Sequence, residues 1–136
     1  MAASVPQSRH DYTFADYLAV ERESEIKHEF DGGEILAMAG GTARHSALAA
    51  RIVTALETTR RPGCTVFQSD MRVRITATGR ATYPDASMVC GAIEYDPEDG
   101  GRTTITNPVL LAHEGTATLA SGPALELPRL YSDLPL

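Results

Sequence analysis

The chain has 136 residues, of which 43% are hydrophobic, a length that suits one domain with its own core. Its formal net charge of −6 excludes a protein that coats nucleic acid through bulk positive charge, although it does not exclude an enzyme acting on phosphodiesters. No apolar run reaches the length of a membrane span, and the first ten residues contain no apolar signal segment, so we expect a cytoplasmic protein without a membrane partner.

The first predicted elements are a short helix and a β-hairpin. Thr13 can cap a helix that runs to about Arg22. Residues 27–39 then predict two strands, between which the pair Asp31-Gly32 supplies the positive φ angles of a tight turn. Glu34 opens the second strand, where it is either an ordinary charge at a strand edge or a site residue.

A second helix follows, and Thr42 can cap it. Its apolar residues recur at helical spacing, and Pro62-Gly63 ends it. The residues predicted to face the core are Leu48, Ile52, Val53 and Leu56. His45 lies in the first turn, where it is either a surface or capping histidine or the neighbour of a site.

Two strands are predicted next, at residues 64–67 and 71–76. The second alternates strictly, so its apolar side chains share one face while Arg72 and Arg74 share the other. These arginines lie on a solvated face or contact phosphates. The two cysteines of the chain, Cys64 and Cys90, have apolar neighbours and no Cys-x-x-Cys spacing, which predicts buried thiols.

Asp85 is the most informative acidic residue. It directly follows Pro84 and stands at the start of an apolar run, residues 86–90, that predicts a buried strand. A carboxylate is costly to bury unless it meets a cation, a donor or water. Asp85 is therefore either a turn residue that hydrogen-bonds its own backbone or a metal ligand.

The last third of the chain is less clearly patterned. A polar surface loop is predicted at residues 94–102, and a strand at 104–111 that Pro108 places at an entry or an edge. Residues 115–122 are small and weakly patterned, and 123–136 predict a short turn or a loosely docked tail.

Two of the acidic residues, Glu34 and Asp85, stand at predicted strand starts. Two carboxylates that converge at one sheet edge suit Mg²⁺, because this ion takes oxygen ligands and keeps several waters. A metal ion held in this way activates water and neutralises charge on a phosphodiester.

Several short stretches carry a resemblance to a known family. They are Tyr12-Thr13-Phe14 with Tyr17-Leu18, Lys27-His28-Glu29-Phe30-Asp31-Gly32-Gly33-Glu34-Ile35, Met38-Ala39-Gly40-Gly41 with His45, Tyr83-Pro84-Asp85, and Asn107-Pro108-Val109-Leu110-Leu111. Together they resemble the Uma2 family, which is placed among the PD-(D/E)xK restriction-endonuclease-like proteins. The resemblance covers residues 11–111, and 112–136 form the shortened C-terminal part of a single domain spanning 1–136.

The resemblance implies a fold, an activity and a site. The fold is α+β, a shortened restriction-endonuclease-like mixed sheet with flanking helices. The activity is DNA cleavage with Mg²⁺ or Mn²⁺. Asp85 is implied as the principal catalytic and metal-binding residue, Glu34 as the assisting one and His45 as a neighbour, whereas Arg72 and Arg74 are candidates for phosphate contacts.

The chain departs from the family pattern after Leu111. The pattern continues with a strand that carries a second core acid, and then with a helix that carries a lysine. Here His113 occupies the place of that acid, and Glu114 is one residue late, which in a strand points to the opposite face. We predict that an internal segment has been lost, so that the chain is less stable or relies on a partner subunit such as a second copy.

Three hypotheses follow from these features. The retained Glu34 and Asp85 favour a metal-dependent endonuclease. The missing acid and lysine favour an inactive remnant that binds DNA or a homologous subunit. A small interaction module with only the fold in common is the third reading, since a fold does not determine its chemistry.

Overall fold

The structure is a computed structural model that describes residues 11–113, 116–119 and 124–126. This part of the chain contains two helices and ten strands. In chain order they are α1 (Phe14–Glu23), β1 (His28–Asp31), β2 (Glu34–Ala37), α2 (Ala43–Thr59), β3 (Cys64–Gln68), β4 (Arg72–Ile75), β5 (Arg80–Thr82), β6 (Ala86–Cys90), β7 (Thr104–Ile105), β8 (Leu110–His113), β9 (Thr116–Leu119) and β10 (Ala124–Glu126).

The strands form two five-stranded sheets. Sheet A has the order β2-β1-β5-β4-β7 and is mixed, because β7 runs parallel to β4 while the other neighbours are antiparallel. Sheet B has the order β10-β9-β8-β6-β3 and is antiparallel throughout. The predicted α+β class and mixed sheet are confirmed, with two sheets in place of one.

The chain divides into two compact units, each assembled from three separate segments. Unit 1 takes the described residues up to Ala39 together with Arg72–Tyr83 and Tyr95–Thr106, and it contains α1 and sheet A. Unit 2 takes Gly40–Met71, Pro84–Glu94 and the described residues from Asn107 onward, and it contains α2 and sheet B. The single domain expected over residues 1–136 stays a prediction.

In unit 1, α1 begins at the predicted capping residue. The Thr13 hydroxyl accepts a hydrogen bond from the Asp16 N–H at 3.1 Å, and the Asp16 carboxylate accepts one from the Thr13 N–H at 2.9 Å. This reciprocal pair satisfies two backbone donors that the helix start would otherwise leave open. One face of the helix then packs on sheet A. The buried cluster comprises Phe14, Tyr17, Leu18, Phe30, Ile35 and Ala81.

Thr13→Ala should lower the free energy of unfolding by about 1 kcal/mol, because the Asp16 N–H then loses its acceptor. Thr54→Ala is the matched control, since the Thr54 hydroxyl only donates to the Ala50 carbonyl inside α2 and alanine is the better helix former. Urea unfolding of both variants would test this prediction. A Thr13 variant no less stable than the Thr54 variant would contradict it.

The predicted hairpin is present, but its turn lies one residue later than expected. The two turn residues are Gly32 and Gly33, with φ angles of 57° and 85°, while Asp31 remains in β1 opposite Glu34. A two-residue turn of this hand needs positive φ at both central positions, which two glycines adopt without steric cost. Asp31-Gly32 was therefore the wrong pair.

In unit 2, α2 packs on sheet B through the apolar spacing expected from the sequence. Leu48 and Ile52 are each 1% exposed and contact Ala86 of β6 and Ala112 of β8. Val53 and Leu56 are partly buried against the same cluster. Small alanines on the strands let the larger helix side chains approach the sheet closely.

The strand predicted over residues 104–111 is wrong as a single element. Thr104–Ile105 is β7 of sheet A, whereas Leu110–His113 is β8 of sheet B. Asn107 interrupts the run: its side-chain Oδ1 accepts from the Glu94 N–H at 2.9 Å and its Nδ2 donates to the Ala92 carbonyl at 2.8 Å. These bonds anchor Asn107 to the segment at residues 92–94, between the end of β7 and the start of β8.

The expectation of two free buried thiols is also wrong. Cys64 and Cys90 lie directly opposite each other in the β3–β6 ladder and form a disulfide. The spacing of 26 residues gave no local signal, because the antiparallel register of β3 and β6 brings the two residues together.

Candidate functional site

Asp85 stands at the start of β6, as predicted. It is 8% exposed, and the strand it precedes is paired on both sides, with β3 and with β8. The preceding Pro84 has no N–H to donate to a ladder, so the regular strand begins only at Ala86. Asp85 therefore lies directly before the strand. At this position the alternation of side chains along β6 does not determine the direction of its carboxylate.

His45 is the partner of Asp85 within unit 2. Its Nε2 lies 3.0 Å from Asp85 Oδ1, across 40 residues of sequence. The two side chains are 34% and 11% exposed, so the pair is reachable from solvent at the histidine and largely desolvated at the carboxylate. With Asp85 ionised, the His45 Nε2–H donates this bond, which becomes charge-assisted and restrains both side chains.

The start of α2 determines where the His45 ring lies. The His45 N–H donates to the Thr42 hydroxyl at 3.1 Å, which anchors the first turn of the helix. Gly41 provides the space, since a Cβ at this position would lie 2.9 Å from His45 Cδ2. This role of Gly41 as packing neighbour of His45 was not predicted from the sequence.

Glu34 belongs to unit 1, where it is the first residue of β2, opposite Asp31 in the ladder, and partly exposed. Its convergence with Asp85 stays a prediction. Among the residues that the structure describes, no group of three or more His, Cys, Asp or Glu side chains is arranged to hold a metal ion.

Arg72 lies in a buried polar network of unit 1, and the prediction of a solvated face is wrong for it. The residue is 7% exposed. Its Nε donates to the Thr104 hydroxyl at 2.7 Å, its Nη1 to the Tyr83 hydroxyl at 2.9 Å, and its Nη2 to Thr103 Oγ1 at 3.0 Å and Asp99 Oδ2 at 3.2 Å. These contacts assign the guanidinium a structural role, and its contact with phosphate gains no support.

Arg74 is likewise paired inside unit 1. Its Nη1 lies 3.1 Å from Asp96 Oδ2 and 3.4 Å from Glu98 Oε1, and its guanidinium carbon lies 3.7 Å from the centre of the Phe14 ring. The Asp96 side chain is only 4% exposed, so this cation compensates a buried charge. The loop predicted at residues 94–102 thus supplies the counter-ions of β4.

The Asp99 carboxyl carries the clearest pH dependence of this network. Burial alone would raise its pKa, but hydrogen bonds from Thr103, Thr104 and the Gly101 N–H, together with the charge of Arg72, lower the pKa from 3.8 to about 2. Because the folded-state pKa is depressed, this group stabilises the fold above about pH 4. That contribution is lost as the pH falls toward 2.

We therefore expect the wild-type chain to lose about 2 kcal/mol more unfolding free energy than Asp99→Asn when the pH falls from 5 to 2. Urea unfolding at both pH values would measure this difference. Asp31→Asn is the control, because Asp31 is exposed and should follow the wild type. Equal acid sensitivity of wild type and Asp99→Asn would contradict the prediction.

Comparison with known proteins matches residues 14–114 to the profile of the Uma2 family, described as "putative restriction endonuclease". The chain belongs to the Uma2 family. The match spans α1 through the end of β8 and includes Glu34, His45 and Asp85. It confirms the resemblance drawn from the five sequence stretches.

Two curated relatives of this Uma2 chain come from Synechocystis sp. (strain ATCC 27184 / PCC 6803 / Kazusa). The uncharacterized protein slr1290 is 36% identical over 98 residues, which cover 71% of this chain and 49% of the relative. The uncharacterized protein sll1609 is 34% identical over 112 residues, which cover 81% and 61%. The chain thus spans about half to three fifths of the length of these relatives. The loss of an internal segment stays a prediction.

A solved structure is also similar. It is a crystal structure from Anabaena variabilis ATCC 29413 described as "a putative nuclease belonging to DUF820". The likeness has a TM-score of 0.50 at 13% identity and covers 83% of this chain and 88% of that one. At this identity the likeness shows the fold, and it agrees with the α+β architecture.

His113, which the resemblance places where the family has a second acid, is the last residue of β8. His113 is opposite Thr116 of β9, and its neighbour Ala112 faces α2 in the buried cluster. Since side chains alternate along a strand, His113 faces away from α2. Glu114 lies outside the described residues.

Sequence reasoning missed one further buried pair, in unit 1. Glu21 Oε1 accepts from the His28 N–H at 2.6 Å, and its Oε2 lies 3.3 Å from His28 Nδ1, with both side chains under 10% exposed. The residues come from α1 and β1, so their proximity depends on packing and no motif predicts it.

Neither of the two helices in the described part is long and apolar enough to cross a membrane.

Proposed function

We propose that this Uma2 chain is a nuclease that hydrolyses phosphodiester bonds in DNA with a divalent metal ion, Mg²⁺ or Mn²⁺, bound at Asp85. The observation that supports this most directly is the 3.0 Å contact between His45 Nε2 and Asp85 Oδ1 at the start of β6. The family description and the fold of the Anabaena protein point in the same direction.

The Asp85 carboxylate suits a hard divalent cation. Mg²⁺ is usually bound through one or two carboxylates and several waters, so the Asp85 carboxylate can provide one of the protein ligands. In this proposal Glu34 is the second carboxylate. A bound metal ion supplies an activated water and neutralises charge on the phosphate.

His45 has two tasks in this proposal. Its Nε2–H holds Asp85 Oδ1 and so fixes the orientation of the carboxylate plane, as an outer partner does for a metal ligand. Its side chain is 34% exposed, so the ring also borders the solvent from which substrate and water arrive. A histidine in that place is suited to move a proton during hydrolysis.

Helix α2 and the two residues that follow it supply positive charge for a nucleic-acid substrate. Residues 43–61 contain four arginines and one glutamate, in a chain whose net charge is −6. Arg44 is exposed and adjoins His45. Arginine side chains bind phosphate oxygens well, which favours a polyanion as the substrate of this unit.

Incubation of the purified full chain with supercoiled plasmid tests the proposal. We expect open-circular DNA to appear with Mg²⁺ or Mn²⁺ and to disappear with a chelator, and His45→Gln to slow the reaction by 10- to 100-fold, on the order seen for outer partners of metal ligands. Chain that is folded by circular dichroism but leaves the plasmid intact with both metals would overturn the proposal for this chain.

A second function is favoured by one observation. By the resemblance, His113 stands where the family has an acid, and it faces away from α2, so the described residues of β6 and β8 do not form a complete acidic pair. This favours an inactive member that binds DNA or a second copy of the chain. Metal-independent DNA binding that Asp85→Asn leaves unchanged, without any nicking, would identify this function.

A further inference from the structure

The disulfide of unit 2 lies at the opposite end of β6 from Asp85. Asp85 precedes Ala86, the first residue of the strand, whereas Cys90 is its last residue. Its partner Cys64 is the first residue of β3, directly after the turn that follows α2. The bond therefore joins the α2–β3 connection to the far end of the strand that begins at the candidate site.

Hydrogen bonds surround this junction. The Cys64 N–H donates to the Arg61 carbonyl at 3.2 Å, and the Gly91 N–H donates to the Gly63 carbonyl at 3.0 Å. Arg60 Nη1 donates to the Cys64 carbonyl at 3.2 Å. Helix α2 and strand β6 are thus connected at two places, through His45 and Asp85 near their starts and through this junction near their ends.

The two sulfur-bearing residues differ in exposure. Cys64 is 9% exposed, whereas Cys90 is an exposed residue. A small thiolate from solvent attacks a disulfide at its more accessible side, and the exposure of the two residues favours Cys90 over Cys64. Disulfides that are exposed are generally the labile or regulatory ones, while buried ones resist reduction.

Backbone pairing between β3 and β6 extends beyond the two cysteines. Four further residue pairs continue the β3–β6 ladder, from Thr65 opposite Val89 to Gln68 opposite Ala86. The reduced thiols are therefore held opposite each other by backbone pairing, which favours their reoxidation. The chain contains only these two cysteines, so no other intrachain disulfide competes.

We propose that the Cys64–Cys90 disulfide is reversibly reduced and reformed in the folded protein. The bond stabilises unit 2, and its redox state therefore controls the stability of the unit that contains His45 and Asp85. On reduction, a small thiolate such as glutathione attacks the Cys90 sulfur, and Cys64 leaves as a thiolate and takes up a proton. A second small thiolate then attacks the small-molecule sulfur of the mixed disulfide, and Cys90 leaves and is protonated. Two electrons pass from two small thiols to the protein, and one small-molecule disulfide is released.

The full chain, equilibrated with oxidised glutathione or with dithiothreitol, tests this proposal. By intact mass, we expect the oxidised protein to have the mass of one chain without alkyl groups from iodoacetamide, and the reduced chain to take two. Reduction should lower the thermal midpoint by on the order of 10 °C, and reoxidation should restore it.

The double variant Cys64→Ser/Cys90→Ser is the matched control. Its midpoint should lie near that of the reduced wild type and should not respond to dithiothreitol. The comparison of oxidised and reduced wild type carries the test even if the variant does not fold. A midpoint that moves by less than about 2 °C on reduction, or a disulfide-linked dimer in place of the intrachain bond, would overturn the proposal. Neither readout uses nuclease activity, so this test is independent of the proposed function.

Discussion

Asp85→Asn should reduce metal-dependent plasmid nicking by at least about 100-fold, because it removes the charge that we propose holds the cation while keeping the shape of the side chain. The asparagine oxygen can still accept the hydrogen bond from His45 Nε2, so the start of β6 keeps its partner. The loss is therefore expected in metal binding and turnover, with little change in the thermal midpoint.

Calorimetric titration with Mn²⁺ would measure the same change without any substrate. Asp70→Asn is the matched control, since Asp70 is an exposed carboxylate of unit 2 whose Oδ2 accepts from Gln68 Nε2 at 2.8 Å. We expect Mn²⁺ binding to persist in this control and to disappear in Asp85→Asn. Equal binding by both variants would remove Asp85 from the metal site.

Arg72→Met should lower the free energy of unfolding by about 3–5 kcal/mol. The substitution leaves Asp99, whose side chain is 9% exposed, without its cation, and it leaves the Tyr83 hydroxyl without a donor that lies 2.9 Å away. Burial raises the pKa of Tyr83 despite the nearby arginine, so its hydroxyl stays protonated and neutral. The expected loss of unfolding free energy is thus mainly the cost of leaving the buried Asp99 carboxylate without a cation.

Arg60→Met is the control for Arg72→Met. Arg60 forms an ion pair with Glu57 at 2.9 Å, but the two side chains are 34% and 54% exposed, and such surface pairs contribute at most about 1 kcal/mol. Urea unfolding of both variants gives the comparison. If Arg72→Met costs no more than Arg60→Met, the buried network does not carry the stability assigned to it.

Local chemistry was enough to predict the helices. Thr13 and Thr42 both cap helices where the sequence placed them, and Leu48 and Ile52 both face the core. These features depend on residues within one or two turns of each other. The capping bonds span three residues, and the apolar stripe repeats every three or four.

Features that depend on pairing between distant strands were not predicted. Strand β5, Arg80–Thr82, is only three residues long and starts with an arginine. It is too short to show the alternation of apolar and polar residues that predicts a strand. Arg72 looked solvent-facing because it alternates with Met71 and Val73, yet the loop carrying Asp99 covers it from 27 residues away. The cysteine pair likewise needed the register of β3 and β6.

For the candidate site as well, the sequence indicated the individual residues but not the contact between them. Asp85 after Pro84 and His45 in a capped first turn were visible as unusual positions, but their 3.0 Å contact joins residues 40 apart and follows from the packing of α2 on sheet B. Family resemblance supplied their chemical role. The pairing of Glu34 with them stays a prediction, because it depends on two units.

The three-segment make-up of each unit has a consequence for synthesis on the ribosome. Unit 1 is completed only when residues 95–106 have been made, and unit 2 requires residues beyond 106. Neither unit can therefore fold completely while the first two thirds of the chain are being translated. Many of the contacts in the structure join distant parts of the chain, which slows folding. A nascent chain halted before residue 95 would expose unfinished sheets to chaperones and proteases, and neither unit could be obtained by cutting the gene once.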